Sequence, residues 1–205
     1  LRITGKVLYD IYVYGKAAHG FHPEAGVNAV EQAGIILANL PKLKLGDQEG
    51  FKGNYSTLKI EGGYEVYSVV VPAECRFEVN RLTVPGETVE GVIRDMEELV
   101  ESLDLEAKVE VKTKPPLYSS YVIERKDPFV ELFDETYKDV MGKPPHYQYS
   151  SSITDANTFA GEGRIPCMHL GPMGGGTHQK NEFVNLDSLL PVTRFYTELA
   201  ARFLS

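Results

Sequence analysis

The chain has 205 residues, 42% of them hydrophobic and 24% charged, with a formal net charge of −8. That length holds one large domain or two small ones, and an acidic balance without any basic run argues against a nucleic-acid partner. No apolar run approaches the roughly 20 residues that cross a bilayer, and Cys75 and Cys167 lie in apolar contexts without metal or redox spacing, which predicts buried free thiols in a cytoplasmic protein.

In chain order, Leu1 to Gly5 show no charged-then-apolar signal pattern and read as the middle of a longer chain. Residues 6–15 are β-branched and aromatic with rough alternation, closed by Gly15, and predict a strand. A loop with His19 and His22 then runs into a helix with Val27, Val30, Ala33, Ile36 and Leu37 on one face, stopped by Pro41. Residues 42–54 are a polar connector. Strands are predicted at 55–61, at 65–71 up to Pro72, and from Ala73 to Leu82. Turn residues Pro85, Gly86 and Glu87 lead to a helix at 88–103, with Val89, Val92, Met96, Leu99 and Leu103 at helical spacing. Leu105 to Val111 alternate as a last strand. This β-α-β-(β)-β-α-β order predicts one sheet with both helices on a single face, the ferredoxin-like arrangement, in a unit spanning residues 1–115. Pro115 and Pro116 should make a stiff, extended exit from it.

The second part, residues 116–205, reads differently. Asp127 as N-cap, Pro128 at the first position and Gly142 as the stop frame a helix to Met141. A short strand is predicted at 146–149, a short helix at about 155–161 capped by Asp155, a buried apolar strand at 165–170, and a terminal helix from Asp187 to Phe203. The alternation is that of an α/β layer with too few strands to close. The missing strands should lie upstream of Leu1.

Local chemistry concentrates at Gly171 to Glu182. Gly174, Gly175 and Gly176 free the backbone to approach a ligand, and His178 follows, with Asn181 and Glu182 close behind. One imidazole is not a metal site, since zinc takes at least three protein ligands. An exposed histidine on a flexible turn is the plain alternative. His169, inside an apolar run, reads as a satisfied core histidine, and His146 as structural.

Taken together, these stretches resemble the C-terminal portion of the M20 family of metal-dependent amidohydrolases, which includes aminoacylases, deacetylases, desuccinylases and carboxypeptidases. Gly15, His19, Pro23, Gly26, Asn28 and Ala29 look like that family's lid motif. Arg81 followed by Pro85, Gly86 and Glu87 is similar to its arginine-bearing strand end. The stretch from Thr154 and Asp155 to Gly171, His178, Asn181 and Glu182 looks like the end of its catalytic domain. The resemblance implies a dimerising lid at 1–115 and the last part of a catalytic domain at 116–205.

It also implies roles. His178 would be the last ligand of a two-zinc centre (cobalt or manganese being alternatives), and Gly174 to Gly176 would line the substrate pocket. His19 would reach into the partner's active site and stabilise the oxyanion formed at the amide carbonyl. Arg81 would pair with a substrate carboxylate, although Asn80, Arg81 and Leu82 keep only one arginine where the family often has more; an exposed structural Arg81 is the alternative. The implied substrate is an N-acyl amino acid or short peptide, and the implied assembly a homodimer. The family's upstream ligands and general base have no match here, so this chain alone is expected to be inactive. A non-catalytic dimerisation or ligand-binding module built on the lid is the competing reading. No nucleophile elbow supports a serine or cysteine hydrolase.

Overall fold

In the computed structural model, which describes residues 1–66, 69–148 and 152–205, the first half is built outward from one central strand. That strand, β1 (Gly5–Tyr14), alternates so that Val7, Tyr9, Ile11 and Val13 lie on one face, none more than 2% exposed. It is joined by β2 (Asn54–Gly62), β3 (Glu74–Thr83) and β4 (Lys108–Tyr118) in the spatial order β2-β3-β1-β4, every neighbour antiparallel. The buried face carries helices α1 (Ala29–Asn39) and α2 (Val89–Glu101). Both are capped as their sequences ask. Asn28 Oδ1 accepts from the N–H groups of Val30 and Glu31, and Thr88 Oγ1 accepts from Gly91 N–H.

Ala33 and Ile36 of α1, Val92, Met96 and Leu99 of α2, and Phe77 and Val79 of β3 share one buried cluster with the β1 side chains. Each large apolar side chain buried this way contributes roughly 1.5–3 kcal/mol, so this cluster dominates the stability of the half. The opposite face of the sheet is a polar ladder. Arg76 grips Asp10 with two hydrogen bonds of 2.6 and 2.8 Å and lies 5.3 Å over the Tyr12 ring, while Lys112 lies 4.9 Å over it from the other side. The strand order and the β-α-β-β-α-β connectivity are those expected of the ferredoxin-like arrangement.

Two expectations in this half are corrected. The stretch 65–71 adds no strand to the sheet: β2 ends at Gly62, and Val70 makes only an isolated bridge with His19, while residues 67 and 68 lie outside the described residues. Pro115 and Pro116 do not mark an exit. Strand β4 continues through them to Tyr118, and the register irregularity between Lys114 and Tyr118 falls where prolines cannot donate to the ladder. An edge strand tolerates this because its outer side has no neighbour to serve.

In the second half, α3 (Pro128–Met141) and α4 (Leu189–Phe203) pack together through Phe133, Phe195 and Leu199, with the Phe133 and Phe195 rings edge-on at 4.8 Å. Asp127 caps α3 by accepting from Phe129 N–H, and Gly142 ends it in the left-handed conformation at φ 71°. The first residues of the chain belong spatially with this half: Arg2 and Ile3 pair with Val122 and Tyr121, and Ile3 shares a cluster with Tyr121, Ile123, Val130 and Ala156.

Among the described residues, neither strand expected here forms. Residues 144–148 have no regular structure, and Tyr149 lies outside the described residues. Residues 165–170 pair with no described segment, and Ile165 is 57% exposed rather than buried. A strand needs a neighbour for its backbone groups, and without one the segment stays irregular. The short helix is a π-helical turn, Asn157–Glu162. Asp155 is exposed and does not cap it. Thr154 Oγ1 accepts from Ala156 N–H, and Asn157 Oδ1 accepts from Thr154 N–H.

Candidate functional site

The His19 loop is a hydrogen-bonded arm. Gly15 N–H donates to Ala73 O, Val71 N–H to Ala18 O and Gly20 N–H to Val69 O, at 2.7 to 2.8 Å. Lys16 and Val27 exchange both backbone hydrogen bonds at 2.9 Å where the arm folds back. Glycine is required at that crossing: a Cβ on Gly15 would sit 2.1 Å from Val27 O, and one on Gly26 2.6 Å from Lys16 O. Pro23 opens a 3-10 turn, Pro23–Ala25, and Asn28 then starts α1, so each residue of the motif has a local task. The arm presents His19 to solvent. Its Nδ1 accepts from Phe21 N–H at 3.2 Å, which leaves Nε2 as the outward nitrogen. His22 is exposed and lies 3.3 Å from Glu24.

The glycine loop is a hairpin. Gly174–Gly175 pair antiparallel with Phe183–Val184, and the chain between them forms the tip. Gly174 and Gly175 serve that pairing first: an added Cβ would meet Phe183 O at 2.4 Å, or the Phe183 ring at 3.0 Å. At the tip, Gly176, His178 and Asn181 all have positive φ, of 74°, 63° and 64°. Left-handed backbone costs a residue with a Cβ on the order of 1–3 kcal/mol and concentrates at functional sites. His178 is exposed, and no hydrogen bond joins it to Glu182. The base of the hairpin is latched to the start of α4. Met173 N–H donates to the buried Ser188 Oγ at 2.9 Å, and Asn185 N–H donates to Met173 O at 2.7 Å.

Arg81 is placed against expectation. It is 0% exposed, enclosed rather than on the surface. Its guanidinium donates to Glu87 at 2.6 Å, to Asp95 at 3.0 Å and to the Tyr9 hydroxyl at 3.2 Å. Tyr9 in turn donates to Val92 O, and burial pushes its hydroxyl pKa up to about 12. A substrate carboxylate cannot reach a guanidinium enclosed this way. The Pro-Gly-Glu turn exists to deliver Glu87, whose carboxylate also accepts from the N–H groups of Val84 and Gly46.

His169 is exposed rather than in the core, yet hydrogen-bonded, its Nε2 2.9 Å from Thr154 Oγ1; partial burial lowers its pKa below the usual value. His146 is exposed. A cavity of about 470 Å³ lies between Tyr121, Phe133, Tyr147, Cys167 and Met168, and neither His19 nor His178 lines it. Among the described residues, no hydrogen bond or ring contact joins the His19 arm to the His178 hairpin, and no group of three or more His, Cys, Asp or Glu side chains is placed to hold a metal ion. A zinc site takes at least three protein ligands, and no such group is assembled among the described residues. No helix among them is long and apolar enough to cross a membrane.

Asn157 escaped the sequence reading. Fully buried, it donates from Nδ2 to Thr4 O at 2.8 Å and Ser119 O at 2.9 Å, tying together the two places where the chain passes between its halves. Nothing in a lone asparagine between an Ala and a Thr marks such a tie.

The description of the M20 peptidase dimerisation domain matches residues 3–108, more than half of the chain. The chain belongs to the M20 peptidase family. It is 32% identical over 107 residues to an acetylornithine deacetylase of Myxococcus xanthus, covering 48% of this chain and 28% of that protein. Among solved structures, it resembles a tripeptidase from Staphylococcus aureus with a TM-score of 0.78 at 22% identity, covering 97% of this chain and 51% of that one. The YXEP protein of Bacillus subtilis, described as a dinuclear metal binding peptidase of the M20 family, gives 0.72 at 19% identity, covering 98% of this chain and 51% of that one. The chain thus spans about half the length of each of these two solved proteins, and at these identities the two structures show a shared fold.

Proposed function

We propose that this M20 chain is the dimerising lid and the C-terminal part of the catalytic unit of a metal-dependent amidohydrolase, acting on an N-acyl amino acid or short peptide. The observation that carries the proposal is His178, held exposed at φ 63° on a hairpin whose base is latched to α4. In this reading it contributes one ligand to a zinc pair whose other ligands, and the general base, come from outside these residues. A bound metal ion would polarise the amide carbonyl and lower the pKa of water at the site. The chain's own contributions are positional. Gly176 and the adjoining backbone flank the substrate beside His178. His19, carrying its proton on the outward Nε2, donates a hydrogen bond to the oxygen that gains charge as the carbonyl is attacked.

His19 and His178 sit on separate elements, which suits a dimer in which one lid completes its partner's site. Among the described residues no strand pairs with the outer edge of β2, which carries Leu58 and Ile60, 57% and 48% exposed, a surface a second copy would cover. The division of labour follows the three hydrophobic clusters, one under the four-stranded sheet and two around α3 and α4: residues up to the end of β4 at Tyr118 form the lid, except that Arg2 and Ile3 pack with the remainder. A cytoplasmic setting fits the two unpaired cysteines.

Zinc calorimetry tests the reading. This chain alone should bind no zinc tightly. Mixed with a segment carrying an M20 N-terminal half, it should bind zinc and hydrolyse N-acyl amino acids or tripeptides, and His178→Ala should abolish both. Tight stoichiometric binding by the chain alone, or activity indifferent to His178→Ala, would overturn it.

A further inference from the structure

We propose that Phe21 is the positioning residue for His19, a role that rests on the reading of His19 as the oxyanion donor. Two contacts act on the imidazole. The Phe21 backbone N–H donates to His19 Nδ1 at 3.2 Å, and the Phe21 ring stacks on the imidazole with centroids 5.4 Å apart and planes at 18°. A ring nitrogen that accepts a hydrogen bond carries no proton, so the neutral imidazole bears its hydrogen on Nε2. The first contact therefore selects the tautomer, and the second fixes the plane in which the Nε2–H points.

Phe21 is 80% exposed. Its position is nonetheless defined, because the backbone on both sides is tied down: Gly20 N–H donates to Val69 O at 2.7 Å and His22 N–H to His19 O at 2.8 Å. A phenyl ring held in water gives up the burial that usually rewards an aromatic side chain. What it gains here is the imidazole face. The neighbouring polar side chains do not compete for that role, since His22 is 3.3 Å from Glu24 and leaves His19 to Phe21. Preorganisation of this kind lets a donor meet developing charge without reorienting at the moment of reaction.

Nitrogen-15 correlation spectra of the His19 ring in this chain test the tautomer. A protonated Nε2, a bare Nδ1 and through-space contacts between the two rings are expected; a proton on Nδ1 overturns the assignment. In the catalytically complete protein, Phe21→Ala keeps the backbone donor and removes the stack. It should lower kcat on the order of 10-fold with little change in KM, a part of the 10²–10³ lost when an oxyanion donor is removed outright. Phe21→Tyr should restore kcat, whereas Phe21→Leu, of similar apolar bulk, should not. Unchanged kcat in Phe21→Ala, a change confined to KM, or full rescue by Phe21→Leu would overturn the proposal. If no amidohydrolase activity exists at all, the proposed function fails, and the spectra still decide whether Phe21 sets the imidazole.

Discussion

Arg81 and Glu87 form an ion pair of 2.6 Å around a guanidinium that has no solvent exposure. The pair fastens the end of β3 to the turn that launches α2, with Asp95 and Tyr9 as further acceptors. Removing the guanidinium leaves Glu87 and Asp95, 16% and 26% exposed, without their counter-charge and empties a buried site, which costs roughly 2–4 kcal/mol. Arg81→Ala should therefore lower the free energy of unfolding by about that amount, read as a fall in the urea midpoint. A loss below about 1 kcal/mol, the range of an exposed pair, would contradict the burial of this network. In an active assembly, a rise in KM at full stability would return Arg81 to the substrate.

Asn157 offers a second test of structure against sequence. Its side-chain amide satisfies Thr4 O and Ser119 O at once, and it is itself fully buried. Asn157→Leu leaves two carbonyl acceptors without that donor, each worth on the order of 1–3 kcal/mol when buried. The variant should lose about 2–4 kcal/mol by chemical denaturation. It should also exchange the amide hydrogens of the 119–123 segment faster than the parent protein. Equal exchange rates would mean that the tie between the halves lies elsewhere.

What could be read from the sequence divides along one physical line. Elements whose own residues set their period or caps were legible: β1 through its alternation, α1 through Val30, Ala33 and Ile36, and α3 through Asp127 and Gly142. Elements that depend on a partner were not. Residues 165–170 have strand-like composition but pair with no described segment, and Val70 is spent on bridging His19. At the site, Gly15 and Gly26 stood out only through the resemblance to the lid motif, and the backbone crossing they permit emerges from the pairing of Lys16 with Val27. The burial of Arg81 was not legible, because its acceptors Tyr9 and Asp95 come from distant positions in the chain.

Asp10 should govern part of the acid stability. Hydrogen bonds from Arg76, aided by Tyr12, hold its carboxyl pKa below the usual range, and burial opposes them only in part. A folded pKa below the unfolded one stabilises the fold fully above the ordinary aspartate value of about 4. That contribution disappears as pH falls through the depressed folded value. Thermal unfolding between about pH 5 and pH 2 should therefore show a steeper loss in the parent protein than in Asp10→Asn, which has no such carboxyl to protonate. Parallel curves would show that the Arg76 grip on Asp10 adds nothing to stability.

His178 carries the sharpest prediction, because stability and function should move in opposite directions. At φ 63° its Cβ is strained by roughly 1–2 kcal/mol. Glycine adopts that conformation freely but restores about 0.5–1 kcal/mol of chain entropy to the unfolded state. His178→Gly should consequently raise stability by up to about 1 kcal/mol, while removing the imidazole and with it any zinc-dependent hydrolysis in the complete enzyme. Asn181→Gly, at φ 64°, is the control at the same turn: a smaller relief of strain, since asparagine tolerates left-handed backbone, with activity retained. If His178→Gly instead destabilises the chain, the imidazole makes contacts that outweigh its strain. If both variants stay active, the left-handed backbone at the tip is a property of the turn, and the histidine is not a ligand.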